Sequence, residues 1–150
     1  MEEKSTGELD ELLENIRPEQ IADYLKANRQ YLADEKRAFY YYFTDVVKDK
    51  SIMMKDVYSF AGVSESYGSQ IVSMEKHTKD RDLIIRLCLA GHFSLMEMNR
   101  ALKLYGFCEL YSKEPRDAVI IVALNNRIFD PDQIDEMLEA QDLKKITSDN

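Results

Sequence analysis

The side chains best suited to metal binding or nucleophilic chemistry are two histidines, His77 and His92, and two cysteines, Cys88 and Cys108. A zinc site needs about four such ligands in closely spaced pairs, and these four residues form no pairs of that kind. Cys88 lies between two leucines and is expected in the core. Cys108 is expected in the core or partly buried beside it. We therefore predict no metal site and no cofactor.

Acid–base and phosphate chemistry are not indicated either. The carboxylates are numerous, but none falls in a recognisable catalytic pair. The sequence has no Gly-rich phosphate loop, no Ser-His-Asp order and no His-Glu-x-x-His motif. These observations predict that the protein is not an enzyme.

The distribution of apolar and basic residues indicates a cytoplasmic protein. The acidic first residues lack the basic start and apolar run of a signal peptide. The longest apolar runs are far shorter than the ~20 residues of a membrane span. Two cysteines in apolar surroundings suit a reducing compartment. We expect no membrane association.

Polar side chains that could contact a macromolecule follow a short break at Gly62-Val63-Ser64. Low numbers of glycine (5) and proline (3) and 45% hydrophobic residues favour an all-α fold. The pattern predicts one short helix from Met53 to Ala61 and a second from Ser64 to about Met74. Gly62 suits the end of the first helix and Ser64 the start of the second. Two short helices joined by a tight turn are typical of a helix-turn-helix.

The charge distribution bears on whether nucleic acid is a partner. The net charge is −8, which argues against binding by bulk charge. Residues 1–49 have a net charge of −5 and residues 87–150 of −4, whereas residues 50–86 have +1. The one non-acidic segment is therefore the one with the helix-turn-helix pattern.

The C-terminal half contains a weak internal repeat. Arg81-Asp82 and the apolar run after it match Arg116-Asp117 and its run at a spacing of 35, and after one extra residue the match continues at 36. Each copy predicts a helix, a short break and a second helix. Arg116 is expected to bind a carboxylate of a neighbouring helix. Structural equivalence and chance similarity of amphipathic helices both remain open.

Phe43 to Leu95 resembles the lambda-repressor-like (Xre-type) helix-turn-helix domain. The resemblance rests on Val57, on the Gly-Val-Ser turn at 62–64 and on Ile71. The chain is further similar to bacterial Xre-like proteins with an acidic helical N-terminal extension. Two motifs support that similarity, Ser-Tyr-Gly-Ser-Gln-Ile at 66–71 and Leu-Tyr-Ser-Lys-Glu-Pro-Arg-Asp-Ala-Val-Ile-Ile at 110–121.

The resemblance implies that the third helix of this domain, about residues 64–74, reads the major groove of double-stranded DNA. Lys55 would face a phosphate from the start of the second helix. The loop after the third helix would add further phosphate contacts. The implied DNA-binding residues are Lys55, Ser64, Glu65, Ser66, Tyr67, Ser69, Gln70, Lys76, His77 and Lys79.

The expected architecture is an all-α, lambda-repressor-like helix-turn-helix core flanked by N-terminal helices and a C-terminal helical hairpin. Its segments are an N-terminal extension (1–33), the helix-turn-helix domain (34–106) and a C-terminal helical segment (107–150). The function it implies is a transcriptional regulator that binds DNA, expected as a homodimer because two chains would combine two weak surfaces.

The alternative is a non-catalytic protein-interaction module on a helix-turn-helix scaffold that has lost DNA binding. Four features favour it: the net charge, Glu65 at the start of the third helix, the aromatic run Tyr40-Tyr41-Tyr42, and a loop at 74–78 that departs from the usual pattern of the family. Exposed aromatic side chains are typical of contact surfaces, so a protein partner is also considered.

Overall fold

The computed structural model describes residues 6–28 and 37–147, and every regular element in these ranges is a helix. The predicted all-α class is therefore confirmed. Two compact units divide the chain, Met1–Asp34 and Glu35–Asn150, and each is described by itself. The boundary predicted between residues 33 and 34 lies outside the described residues, and the one predicted after 106 stays a prediction.

Within its described residues, 6–28, the N-terminal unit has two short helices joined by a 3-10 turn. Helix α1 is Thr6–Glu14, the turn is Pro18–Gln20 and helix α2 is Ile21–Ala27. Proline suits the first position of the turn because its missing N–H needs no partner there. Four large aliphatic side chains of this unit are 41–51% exposed: Leu12, Leu13, Ile21 and Leu25.

The second unit contains seven helices within its described residues, 37–147. They are α3 (Ala38–Asp49), α4 (Met54–Ala61), α5 (Glu65–Val72), α6 (Arg81–Ala90), α7 (Leu95–Tyr105), α8 (Pro115–Asn125) and α9 (Pro131–Glu139). Helix α6 packs against α4 and α7, α3 packs against α7, and α8 packs against α9.

The core of this unit is built around α6, whose apolar residues cover its whole circumference. All residues from Leu83 to Ala90 except Arg86 are buried, as expected for a helix with neighbours on every side. Burial also raises the pKa of the Cys88 thiol well above its usual range. The expectation for Cys108 was wrong: this side chain is exposed, because it lies in the connector after α7 rather than on a helix face.

The C-terminal helices form two hairpins, α6–α7 and α8–α9, joined by reciprocal ion pairs. Arg81 donates to both carboxylate oxygens of Asp117, at 2.9 and 3.1 Å. Arg116 donates to both oxygens of Asp82, at 2.8 and 2.7 Å, as predicted from the sequence. The hydrogen bonds to Asp82 raise the pKa of Arg116 above its usual value. Both pairs are bidentate, the strongest geometry for this type of contact.

Other hydrogen bonds are duplicated in the same way. The Leu110 amide donates to Asn99 at 2.8 Å, and the Ile146 amide donates to Asp135 at 2.7 Å, each pair spaced by 36. Each arginine also donates to two consecutive carbonyls beyond its own hairpin: Cys108 and Glu109 for Arg81, Lys144 and Lys145 for Arg116. The internal repeat is therefore confirmed as structural equivalence.

The start of α7 is joined to the end of α3 by a charged contact. The Ser-x-x-Glu spacing of Ser94 and Glu97 predicts a capping box at the start of α7, and the structure has both of its hydrogen bonds. Lys50 donates to Glu97 Oε1 at 2.5 Å and to the carbonyl of His92 at 2.5 Å. Burial acts to raise the pKa of Glu97, but its hydrogen bonds with Lys50 and Ser94 lower it overall.

Replacing Glu97 with glutamine is expected to lower the free energy of unfolding by up to about 1 kcal/mol at neutral pH. Because the folded state lowers this pKa, the carboxylate stabilises the fold above its unfolded value of about 4.5. The difference between Glu97→Gln and the native protein should therefore shrink as the pH falls below that value. Urea unfolding from pH 7 to pH 3.5 measures it, with the exposed Glu139→Gln as control. A difference that grows towards low pH would contradict the assignment.

Candidate nucleic-acid interface

The turn between α4 and α5 is fixed by hydrogen bonds at both helix ends. Gly62 has a φ of +80°, a left-handed conformation that glycine adopts without strain. The Val63 amide donates to the carbonyl of Tyr58 at 3.1 Å, which closes α4. Ser64 Oγ accepts from the Tyr67 amide at 3.1 Å, which starts α5. Both predicted roles, for Gly62 and for Ser64, are confirmed.

Helix α5 is shorter than predicted. It ends at Val72 rather than near Met74, because Met74 has a φ of +69° and reverses the chain. Its inward residues are Gly68, Ile71 and Val72. Gln70 is half-buried, and the remaining outward side chains are exposed: Glu65, Ser66, Tyr67 and Ser69. The predicted contact residues of this helix therefore lie on its solvent-facing side.

The close contact between α4 and α5 depends on Gly68. A Cβ atom at this position would lie 2.4 Å from Cδ1 of Tyr58 and 2.9 Å from two further atoms of the same ring. A glycine in the middle of a helix predicts close packing by a neighbouring side chain, here Tyr58, and the structure confirms this prediction. Burial raises the pKa of Tyr58, and a hydrogen bond with the Ser69 side chain partly offsets this. Ser69, predicted as a DNA contact, thus already has a partner within the fold.

The loop from 73 to 80 is held in place by Tyr105 of α7. The His77 ring stacks on the Tyr105 ring with centroids 4.6 Å apart. The Thr78 amide donates to the Tyr105 hydroxyl at 2.8 Å, and the Lys76 amide donates to the carbonyl of Gln70 at 3.1 Å. His77 is exposed, but its ring packs on another ring of the protein. Helical spacing from Met98 and Leu102 places Tyr105 on the buried face of α7. It does not indicate the contact with the loop, because a contact of this kind depends on tertiary packing.

The charged side chains around this surface are mixed in sign. Three predicted phosphate contacts are exposed, with Lys55 in the first turn of α4 and Lys76 and Lys79 in the loop. Four carboxylates of the same segments and of α5 are exposed as well: Asp56, Glu65, Glu75 and Asp80. The candidate surface is therefore close to neutral, in keeping with the +1 of residues 50–86.

Arg86 is a supporting residue that the sequence did not single out. Its Nε donates to the carbonyl of Ala61 at 3.2 Å, and its Nη1 donates to the carbonyl of Ile146 at 2.7 Å. The first of these bonds satisfies a backbone group at the end of α4. Together the two bonds connect the turn before α5, through Arg86, to the segment after α9. The signal in the sequence for a structural role of Arg86 was its position among the apolar residues of α6.

Within residues 6–28 and 37–147, no three His, Cys, Asp or Glu side chains are grouped closely enough to hold a metal ion. In the same residues, no helix combines the length and the apolar character needed to cross a membrane. Comparisons of the chain with protein-family models, with curated proteins and with solved structures found no match.

Proposed function

We propose that this protein is a sequence-specific DNA-binding transcriptional regulator in which α5 reads the major groove. One observation carries the proposal: α5 is fixed at its start by Ser64 and against α4 by Gly68, and its polar side chains face solvent. A preorganised short helix with an exposed polar face can bind in a groove without the entropy cost of ordering the helix on binding. The major groove, at about 12 Å wide, admits a helix of this kind.

The side chains suit two kinds of contact. The amide of Gln70 can pair with the N6 and N7 positions of adenine, and the hydroxyl of Ser66 can reach a base or a phosphate. Lys55, Lys76 and Lys79 would contact phosphates, which fix the register of the protein on the duplex without reading sequence. Glu65 can accept from the amino group of cytosine.

The surface around α5 is close to neutral, which favours a homodimer as the form of the protein that binds DNA. Two chains on two half-sites about one helical turn apart combine contacts that are weak singly. The exposed aliphatic residues of α1 and α2 supply apolar area for association: Leu12, Leu13, Ile21 and Leu25. Burying such side chains stabilises an interface by about 25 cal/mol per Å² of apolar surface.

Fluorescence polarisation with DNA from the protein's own genomic neighbourhood tests the proposal. We expect binding at low salt that weakens steeply as salt is raised, with two chains per site. Gln70→Ala should relax sequence preference by about 1–3 kcal/mol at one base pair, whereas Lys79→Ala should weaken all DNA alike and reduce the salt slope by about 1. Lys103→Ala, a change of equal charge on α7, is the matched control. Absence of binding at low salt would overturn the proposal.

The second candidate function is a non-catalytic protein-interaction module on the same scaffold. The observation that favours it is the mixture of exposed carboxylates and lysines around α5, together with Tyr67, which is 39% exposed. Charge alternation and an accessible tyrosine are more typical of a protein contact than of a phosphate-binding surface. If the native chain fails to bind DNA while Tyr67→Ala weakens a protein complex, this candidate replaces the first.

A further inference from the structure

A cavity lies where the turns of the two hairpins come together, and no residue of α5 lines it. Its volume is about 340 Å³, within the range of small-molecule sites. The residues that line it are Lys50, His92, Ser94, Leu124, Arg127 and Phe129. Two of these six are fixed cations, one is a histidine and none is a carboxylate.

The positive charge at this cavity is only partly neutralised by the protein. Lys50 donates to Glu97 and to the carbonyl of His92, and its Nζ lies 5.9 Å from the centroid of the Phe93 ring. Among the described residues, its third N–H group has no hydrogen-bond acceptor. Within residues 6–28 and 37–147, Arg127 makes no ion pair. Its guanidinium carbon Cζ lies over the Phe129 ring, 5.9 Å from the ring centroid. Arg127 is exposed, so its guanidinium is accessible to a ligand at the mouth of the cavity.

The repeat explains how the cavity is built. His92 and Arg127 occupy equivalent positions, 35 apart, at the ends of α6 and α8, and both have positive φ, +56° and +57°. Phe129 is the extra residue by which the spacing rises from 35 to 36. Its ring stacks on the His92 ring with centroids 4.6 Å apart and planes within 9°. The extra residue in the turn of the second hairpin thus places an aromatic ring beside the basic side chains of the cavity.

We propose that this cavity binds a small organic phosphomonoester. Donor groups from three separate places, Lys50, His92 and Arg127, suit a tetrahedral group with three terminal oxygens better than a planar carboxylate. The cavity has room for more than a bare phosphate ion, so a phosphate that carries an organic group fits in it. Phe129 and Leu124 offer that group apolar surface. Ser94 and Glu97 already cap α7, so the site does not depend on a free helix end. The proposal is independent of DNA binding.

The probe for this site is phenyl phosphate, titrated into the full chain and followed by calorimetry and by backbone amide NMR. We expect binding that shifts amides of residues 91–94 and 126–130. Phenyl phosphate should bind at least about tenfold more tightly than inorganic phosphate, which lacks the ring, and than benzoate, which lacks the phosphate. Arg127→Asn should weaken phenyl phosphate at least about tenfold by removing a charged donor. Asparagine tolerates positive φ, so the helix end is retained.

Further variants keep the test decisive. Lys103→Gln removes an equal charge on α7 and should leave binding unchanged. If Arg127→Asn does not fold, Phe129→Leu replaces it, and it should reduce the preference for phenyl phosphate over inorganic phosphate. The proposal is overturned by shifts confined to other residues, by equal affinity for inorganic phosphate or benzoate, or by unchanged affinity in the variants.

Discussion

Replacing Asp82 with asparagine is expected to lower the free energy of unfolding by about 3 kcal/mol. The substitution leaves Arg116 without its bidentate partner in a contact where the two side chains are 14% and 19% exposed. Removing one member of a buried ion pair costs more than the pair contributes, because the remaining charge stays desolvated. Urea or thermal unfolding of the variant measures the effect.

The matched control is Asp132→Asn, because both aspartates lie in the first turn of a helix, and Asp132 is exposed. This control loses the same favourable contact with the helix dipole, about 0.3–1 kcal/mol, but no ion pair. Asp117→Asn should cost at least as much as Asp82→Asn, since Asp117 also accepts from the Tyr111 amide at 3.0 Å. Equal stability of Asp82→Asn and Asp132→Asn would show that the reciprocal pairs do not hold the hairpins together.

Replacing Gly68 with alanine is expected to destabilise the protein by about 2 kcal/mol, although alanine is the better helix former by about 1 kcal/mol. The added methyl group would overlap the Tyr58 ring, with 2.4 Å to Cδ1, and so push α5 away from α4. The atoms that it meets belong to a buried ring rather than to the free end of a flexible chain. Thermal unfolding measures the loss.

A double-mutant cycle separates this clash from other effects of the substitution. Tyr58→Leu removes the ring, so Gly68→Ala in that background should cost at least about 1 kcal/mol less than in the native one. Ser66→Ala, on the exposed side of the same helix, serves as the control and should change stability by less than about 0.5 kcal/mol. If Gly68→Ala is as stable as the native protein, the contact between the two helices is looser than the structure indicates.

Local signals explain why much of the fold could be predicted from the sequence. Gly62, Ser64 and the Ser94–Glu97 pair act on backbone groups within a few residues, so their spacing alone specifies a helix end. The repeat was visible because Arg81-Asp82 and Arg116-Asp117 precede similar apolar runs. Gly68 could be interpreted because a glycine within a helix needs a packing reason.

Contacts between distant segments could not be predicted in the same way. The bond from Arg86 to Ile146 and the stack of His77 on Tyr105 join residues from different elements, and no periodicity records such pairs. Helical spacing indicates which residues share a face, but not whether that face is covered. Leu12 and Leu13 of α1 show this, since they lie on the apolar side of the helix and remain exposed. The same limit applies to Ser69, which the resemblance implied as a DNA contact but not as a partner of Tyr58.

The reciprocal Arg–Asp pairs make the two hairpins a closed assembly. Because Arg81 contacts Asp117 while Arg116 contacts Asp82, the two copies meet through the same patch, as subunits do across a two-fold axis. Such a contact saturates at two copies, whereas the head-to-tail contacts of solenoids leave each end open for another repeat. A third hairpin added by duplication would find no free partner, so this architecture can vary its turns but cannot lengthen into an array.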